Sequence, residues 1–294
     1  MYLGPPGLRS ELPQLEWSVL PQTHIVVSKR LQDCNYLQAA EGGIDPSHLS
    51  FLHSTKESPT RPVEVGGIRF PPSMARDRQP RFETLETNSG IQIAARRVAD
   101  GQHFYWRISQ FLLPWYTIFP ADPGLPLGGH AWVPIDDTHC WTWSFSWQAE
   151  RPLTPEELAD MRSGLGIHAH VDPITFRPLA NRDNDYGIDR TEQRRGSFSG
   201  IPGIGEQDMA AQESMGALYD RTREHLGVSD TAIISMRRQL LRLARALQAG
   251  QEPEAASRPE SYRVRSAAVV LPRSQPWREG AGAALASPVF APPG

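Results

Sequence analysis

The 294-residue sequence predicts an α+β chain, because strand signals crowd one stretch and helix signals follow in another. Between Phe82 and Trp147, apolar and aromatic residues alternate or run in short bursts: Ile91 to Val98, Phe104 to Ser109 and Cys140 to Trp147. Two capped segments of helical length then lie between Glu206 and Gly250.

Taken in order, residues 1–27 open with Leu3-Gly4-Pro5-Pro6-Gly7 and repeat Leu-Pro-Gln, which reads as an extended connector and not a packed element. A short strand at Ile25-Val26-Val27 leads to a helical stretch through Asn35-Tyr36-Leu37-Gln38. That stretch passes into Glu41-Gly42-Gly43, where the glycines relieve the backbone. Cys140 to Trp147 alternates strictly, placing Trp141, Trp143, Phe145 and Trp147 on one face as a core and small polar groups on the other. Thr154-Pro155-Glu156-Glu157 starts a short helix to about Arg162, with an N-cap, a first-turn proline and a capping-box glutamate. Arg177 to Ile204 reads as a polar loop long enough to serve as a lid or binding loop.

A helix is expected from about Glu206 to Leu226, closed by Gly227, and a second from Ser229-Asp230 to Gly250. The second carries Ile233, Met236, Leu240, Ala244 and Leu247 on a core stripe, with Arg237, Arg238 and Arg242 outside. Residues 251–294, rich in Pro, Ala and Gly, read as a peripheral tail, leaving 28–250 as the principal domain.

A net charge of −3 with dispersed basic residues gives no electrostatic footprint for nucleic acid. No apolar run approaches a membrane span, and the first residues lack the regions of a signal peptide, so a cytoplasmic protein is expected. Cys34 and Cys140 are the only cysteines, which implies no disulfide framework and fits a reducing compartment.

The chemistry concentrates in Glu41-Gly42-Gly43-Ile44-Asp45-Pro46-Ser47-His48-Leu49-Ser50-Phe51-Leu52-His53. Two imidazoles five residues apart fit either a hydrogen-bonded core pair or a metal site, where two histidines and one carboxylate form the facial triad of non-haem iron oxygenases. The best third ligand is Asp208, in the first turn of a helix whose dipole favours an anion, although an ordinary N-terminal helix acid looks the same. Asp136-Asp137 belong to a hairpin turn and Asp189 to a charged loop. His168-Ala169-His170 is the rival metal pair.

Together with Asn35-Tyr36-Leu37-Gln38-Ala39, the His48 segment resembles the iron-binding segment of Rieske non-haem iron oxygenases, most closely the phthalate dioxygenase-like branch. The run from Gly205 to Gly216, an aspartate followed five residues later by glutamate, resembles the family's third-ligand segment. Further matches pass through Tyr105-Trp106-Arg107-Ile108, Trp132 to Asp137, Asn184-Asp185-Tyr186 and Asp220-Arg221-Thr222, covering most of residues 16 to 275.

The resemblance implies a helix-grip (START-like) catalytic domain, a curved antiparallel sheet around a long C-terminal helix, with iron between that helix and the His segment. It implies that His48, His53 and Asp208 bind a mononuclear Fe(II), and that Asp45 bridges to the electron-donating cluster of a neighbouring subunit in a homotrimer. Dioxygen, an aromatic substrate and a reductase are the implied partners. Substrates in this branch are often aromatic carboxylates, which makes Arg107 and Arg97 candidate anchors, since a guanidinium grips a carboxylate with two parallel bonds.

Two features depart from the family. A Rieske two-iron two-sulfur cluster needs two cysteines and two histidines, held in Cys-x-His and Cys-x-x-His motifs, and neither motif is present. The chain is therefore expected to begin where the Rieske domain ends and to be inactive alone without a separate donor. Glu41 and Gly42 stand where other branches carry an asparagine near the iron. The competing expectation is a non-catalytic helix-grip protein that binds small molecules, or a decayed oxygenase fragment.

Overall fold

The computed structural model describes residues 9–56, 63–65 and 68–290. In chain order the elements are β1 (Ile25–Gln32), α1 (Tyr36–Gly43), β2 (Val63–Val65), β3 (Ile68–Phe70), α2 (Pro72–Arg76), β4 (Arg81–Thr87), β5 (Gly90–Val98), β6 (His103–Leu112), β7 (Tyr116–Phe119), β8 (Leu127–Pro134) and β9 (Cys140–Trp147). There follow α3 (Pro155–Arg162), α4 (Arg190–Arg195), α5 (Ile204–Ser214), α6 (Thr231–Gln248), β10 (Ala267–Pro272), α7 (Trp277–Gly280) and α8 (Gly282–Leu285).

Eight strands form one antiparallel sheet in the order β1-β9-β8-β7-β6-β5-β4, with β10 on β6, while β2 and β3 make a separate hairpin. The long strand β6 shares one edge between two partners, pairing with β10 from His103 to Ile108 and with β7 from Gln110 to Leu112. The sheet stays open between β1 and β4. The architecture is the α+β, helix-on-antiparallel-sheet arrangement expected of a helix-grip domain.

Strand register separates the two faces. One carries Ser28, Ser144, His130 and Thr117 in a single row across β1, β9, β8 and β7. It continues through Arg107 and Ser109, which stand opposite Ala95 and Ile93 of β5. At the β4–β5 end this face is covered by α6, where Ser235 meets Thr84 at 3.1 Å and Gln239 donates to the carbonyl of Gly90 at 3.0 Å. At the β7–β9 end it is covered by α1 and α5.

The opposite face is covered by the two chain ends, and here two expectations are corrected. Trp17 stacks on Phe145 with ring centroids 4.5 Å apart, so the N-terminal segment is packed and not merely a connector. The segment beyond Gly250 is not peripheral: β10 joins the sheet, and Trp277 is buried against Trp106. Its small, β-branched run Ala267-Ala268-Val269-Val270 is sheet-competent despite the Pro- and Gly-rich surroundings. Buried Glu16 ties both ends together, accepting from Trp147 Nε1 at 2.8 Å, Arg265 Nε at 3.0 Å and Ser287 Oγ at 2.9 Å.

The tryptophan strand is also corrected. The alternation in β9 holds, but Cys140, Thr142, Ser144 and Ser146 are all buried, whereas Trp143 is 38% exposed. The polar face is the inner one because hydrogen-bonding partners meet it there, with Thr142 donating to Gln32 at 2.7 Å and Ser144 lying 3.0 Å from His130. On the outer face Trp141 and Trp143 flank Lys29, whose ammonium lies 4.3 Å from the Trp141 ring centre.

Helix boundaries were partly as expected. Thr154 and Glu157 form the capping box of α3. The helix expected from Glu206 to Leu226 instead starts at Ile204 and ends at Ser214, because Gly216 adopts φ +97° and turns the chain away. On α6 the buried positions are Ala232, Met236 and Gln239; Ala244 and Leu247 of the expected stripe are exposed. Arg237 is not a free outward charge. It is gripped by Glu41 at 2.7 Å and by Glu224 at 2.5 Å, linking α6 to α1. The loop expected from Arg177 to Ile204 contains α4 and a short turn at Arg182–Gly187.

Candidate metal centre

The centre is built where α1 ends against α5 and the inner sheet face. Asn35 caps α1 by accepting from the amide of Leu37 at 3.0 Å. Gly42 and Gly43 are needed for close approach and not for backbone relief. A Cβ on Gly42 would lie 2.3 Å from Gln212 Nε2, and one on Gly43 would lie 2.8 Å from Thr117 Oγ1 and 3.0 Å from the Trp132 ring. Gln212 on α5 completes the seam, donating to the carbonyl of Ala39 and accepting from Gln32.

Beyond α1, the carboxylate of Asp45 accepts from the amides of Ser47 at 2.7 Å and His48 at 3.1 Å, shaping the turn that carries His48. Arg97, fully buried on β5, braces the same turn: it donates to the carbonyl of Pro46 at 2.8 Å, to Ser50 Oγ at 3.2 Å and to the carbonyl of Asp77 at 3.1 Å. Arg97 therefore does not line the cavity, against the expectation of a substrate anchor. Arg107 does line it, 4% exposed.

His48, His53 and Asp208 converge. His48 Nε2 lies 3.2 Å from His53 Nε2 and 3.4 Å from Asp208 Oδ1, and His53 Nε2 lies 3.2 Å from the same oxygen. Three atoms at these separations can share a centre at an ordinary metal–ligand bond length of about 2.1 Å. The donor set, two imidazole nitrogens and one carboxylate oxygen, is that of a non-haem Fe(II) site and leaves further positions open. The residues thus fit the metal on geometry and on chemistry. Asp208 stands in the second turn of α5, so the dipole argument for it fails; the first-turn acid is Glu206.

Charge balance follows the packing. Burial works to raise the Asp208 carboxyl, but facing His53 and His48 hold it down to about 2. Burial would likewise lower His48, yet Asp45 on one side and Asp208 on the other raise it. Asp45 is lowered against its own burial by His48 and by the amides of Ser47 and His48.

The surrounding cavity has about 600 Å³ of empty volume including its mouth. Phe70, Phe119, Trp132, Ile167 and Ile204 give it apolar walls, with Arg107 and His130 as polar points. Burial first, then the charge of Arg30, pushes His130 down to about 3, so it faces the cavity as a neutral ring.

The rival pair does not converge. His168 spends both ring nitrogens on hydroxyls, Ser28 at 2.7 Å and Ser146 at 2.9 Å, while His170 lies 2.9 Å from the carbonyl of Arg162. The His48, His53 and Asp208 group is the cluster whose ligand atoms come together among the described residues. His130 was not singled out in the sequence, and Trp132, Gln207 and Gln212 were given no role of their own within the segments that match, since each gains its role only through tertiary neighbours.

The family described as LigXa C-terminal domain like matches residues 1–287. The chain belongs to the Rieske oxygenase catalytic-domain family. It is 33% identical over 291 residues to the 3-chlorobenzoate-3,4-dioxygenase oxygenase subunit of Comamonas testosteroni, covering 94% of this chain and 66% of that protein. It is 33% identical over 262 residues to the phthalate 4,5-dioxygenase oxygenase subunit of Pseudomonas putida, covering 85% and 57% respectively. The chain thus spans under two thirds of the length of these relatives. Among solved structures, the terminal oxygenase of carbazole 1,9a-dioxygenase from Novosphingobium sp. KA1 aligns at 16% identity with a TM-score of 0.44, over 84% of this chain and 64% of that one. No helix among the described residues is long and apolar enough to cross a membrane.

Proposed function

We propose that this chain is the oxygen-activating catalytic portion of a Rieske-type oxygenase acting on an aromatic carboxylate, with Fe(II) held by His48, His53 and Asp208. The observation that carries the proposal is the mutual approach of the three ligand atoms to within 3.4 Å at the floor of an apolar cavity. Bound there, iron would supply dioxygen activation, with two electrons delivered one at a time from a Rieske cluster and its reductase.

The protein's own residues do the rest. The two imidazoles present Nε2 and Asp208 presents Oδ1, held by a turn and a helix that are locked to each other and to the sheet. The aromatic and aliphatic walls exclude water and receive a ring, as ligand pockets of this kind do. Arg107 lines the cavity beside Tyr105, and its guanidinium offers a bidentate clamp for a carboxylate that would orient the ring over the metal. Asp45 touches His48 and lines the cavity, and on the resemblance it would meet a cluster histidine of a neighbouring subunit in a trimer. The cluster's ligand motifs are not in this sequence, so the donor is supplied from outside these 294 residues.

The test is turnover with that donor supplied. A Fe(II)-loaded chain mixed with a Rieske donor and reductase should consume dioxygen and hydroxylate or demethylate an aromatic carboxylate. Arg107→Gln should weaken carboxylate binding at least about tenfold while iron content stays unchanged. Binding of aromatic carboxylates with no dioxygen consumption in the presence of the donor would identify a non-catalytic binding protein instead.

A further inference from the structure

His53 is the most deeply buried of the three convergent residues, 4% exposed, and both its ring nitrogens are engaged. Nε2 faces His48 and Asp208, while Nδ1 lies 2.9 Å from Oε1 of Gln207. The Gln207 amide has only one workable orientation. Its nitrogen donates to the carbonyl of Ile201 at 2.8 Å, and a carbonyl can only accept. The amide oxygen therefore points at His53, and an accepting oxygen there requires the proton to sit on Nδ1. Nε2 is thereby the nitrogen turned to Asp208 and His48, where a bound metal would take the place of any proton shared with the Asp208 carboxylate.

The anchor for this amide is itself fixed. Ile201 is buried with Tyr186 and Met209, and its own amide donates to Ser199 Oγ at 3.2 Å. The same segment is tied to the chain just past His53: Phe198 donates to the carbonyl of Ser54 at 3.0 Å, and Thr55 bridges Ser197. Residues 197–201 thus hold His53 from two sides, through its own chain and through Gln207.

We propose that Gln207 is a positioning residue that holds a proton on His53 Nδ1 and so makes Nε2 the nitrogen presented to a metal. The importance of that proton rests on the metal reading above. The proton on Nδ1 is a property of the metal-free chain and can be measured without iron.

The experiment is ¹⁵N NMR of the metal-free chain with labelled histidine, the His53 signals being assigned by their loss in His53→Gln. The wild type should show the proton on Nδ1. Gln207→Met, which keeps the volume and removes the acceptor, should shift His53 toward the Nε2–H form and weaken Fe(II) binding by about 10–100-fold. Gln207→Glu, which keeps an acceptor, should retain the Nδ1–H form, and it decides together with the wild type if the Met variant does not fold. A wild-type His53 whose Nδ1 carries no proton, or a folded Gln207→Met in which Nδ1 protonation is unchanged, would overturn the proposal. The expected tautomer in a wild-type chain that takes up no Fe(II) would support the role of Gln207 and sink the metal reading separately.

Discussion

The two imidazoles of the centre are braced from behind by different chemistry. His48 Nδ1 faces the carboxylate of Asp45 at 3.5 Å, while His53 Nδ1 meets the neutral amide of Gln207. The two imidazoles therefore meet different partners behind them, and the charged side is the one at which Asp45 stands. The turn between them depends on Arg97. Arg97→Met should cost roughly 2–4 kcal/mol, because the Pro46 and Asp77 carbonyls lose charged donors in a dry interior, and urea unfolding reads the loss. Unchanged stability would mean that the brace is dispensable. At this scale the candidate centre was legible, since His48, His53 and Asp208 lie in segments that resemble a known iron site, and the structure brings the three together. Arg97 was read as a substrate anchor because sequence shows a charge on a strand and not the two carbonyls and one hydroxyl it meets.

Among the elements, α1 is the one whose placement most directly sets the centre, and its last two residues lack side chains so that it can touch both α5 and the sheet. Gly43→Ala would force a Cβ to within 2.8 Å of Thr117 Oγ1. Overpacking of this kind costs about 1–3 kcal/mol, and because α1 leads straight into the His48 turn, Fe(II) affinity should fall with stability. Thr154→Ala, which removes the distant α3 capping box, should cost about 1 kcal/mol and leave iron binding unchanged. If both variants affect iron equally, the seam between α1 and the sheet is not specific to the site. The contrast also shows what sequence can convey about elements. The α3 cap was legible because its partners are three residues apart. The end of α5 was not, because helix-favouring residues continue past Gly216, and only the tertiary placement of the following segment makes its left-handed turn decisive. Likewise the period of β9 was legible, but which face is buried depends on Trp17 and on the polar groups of β1 and β8.

For the whole molecule, the inner sheet face is an unusually polar interior, and this gives the fold a direction of pH sensitivity. His130 and His168 are held neutral chiefly by burial and also by the nearby Arg30 charge, at about 3 and about 4 against an ordinary 6.5. Below pH 6.5 the unfolded chain takes up protons that the folded chain refuses. Stability should therefore fall as pH drops from 6.5 toward 4, at up to about 1.4 kcal/mol per pH unit for each imidazole. Urea midpoints at pH 7 and pH 5 measure the slope, and His168→Gln should flatten it by one proton; a midpoint independent of pH would contradict the buried neutral state. The claim on which everything else depends is the metal. Fe(II) added anaerobically, followed by removal of free ion and iron analysis, should give about one iron per chain, lost in His48→Ala, His53→Ala and Asp208→Ala and retained in His168→Ala. An unmodified, folded chain that retains no iron, or one whose iron is lost with His168 and kept without Asp208, would contradict the account.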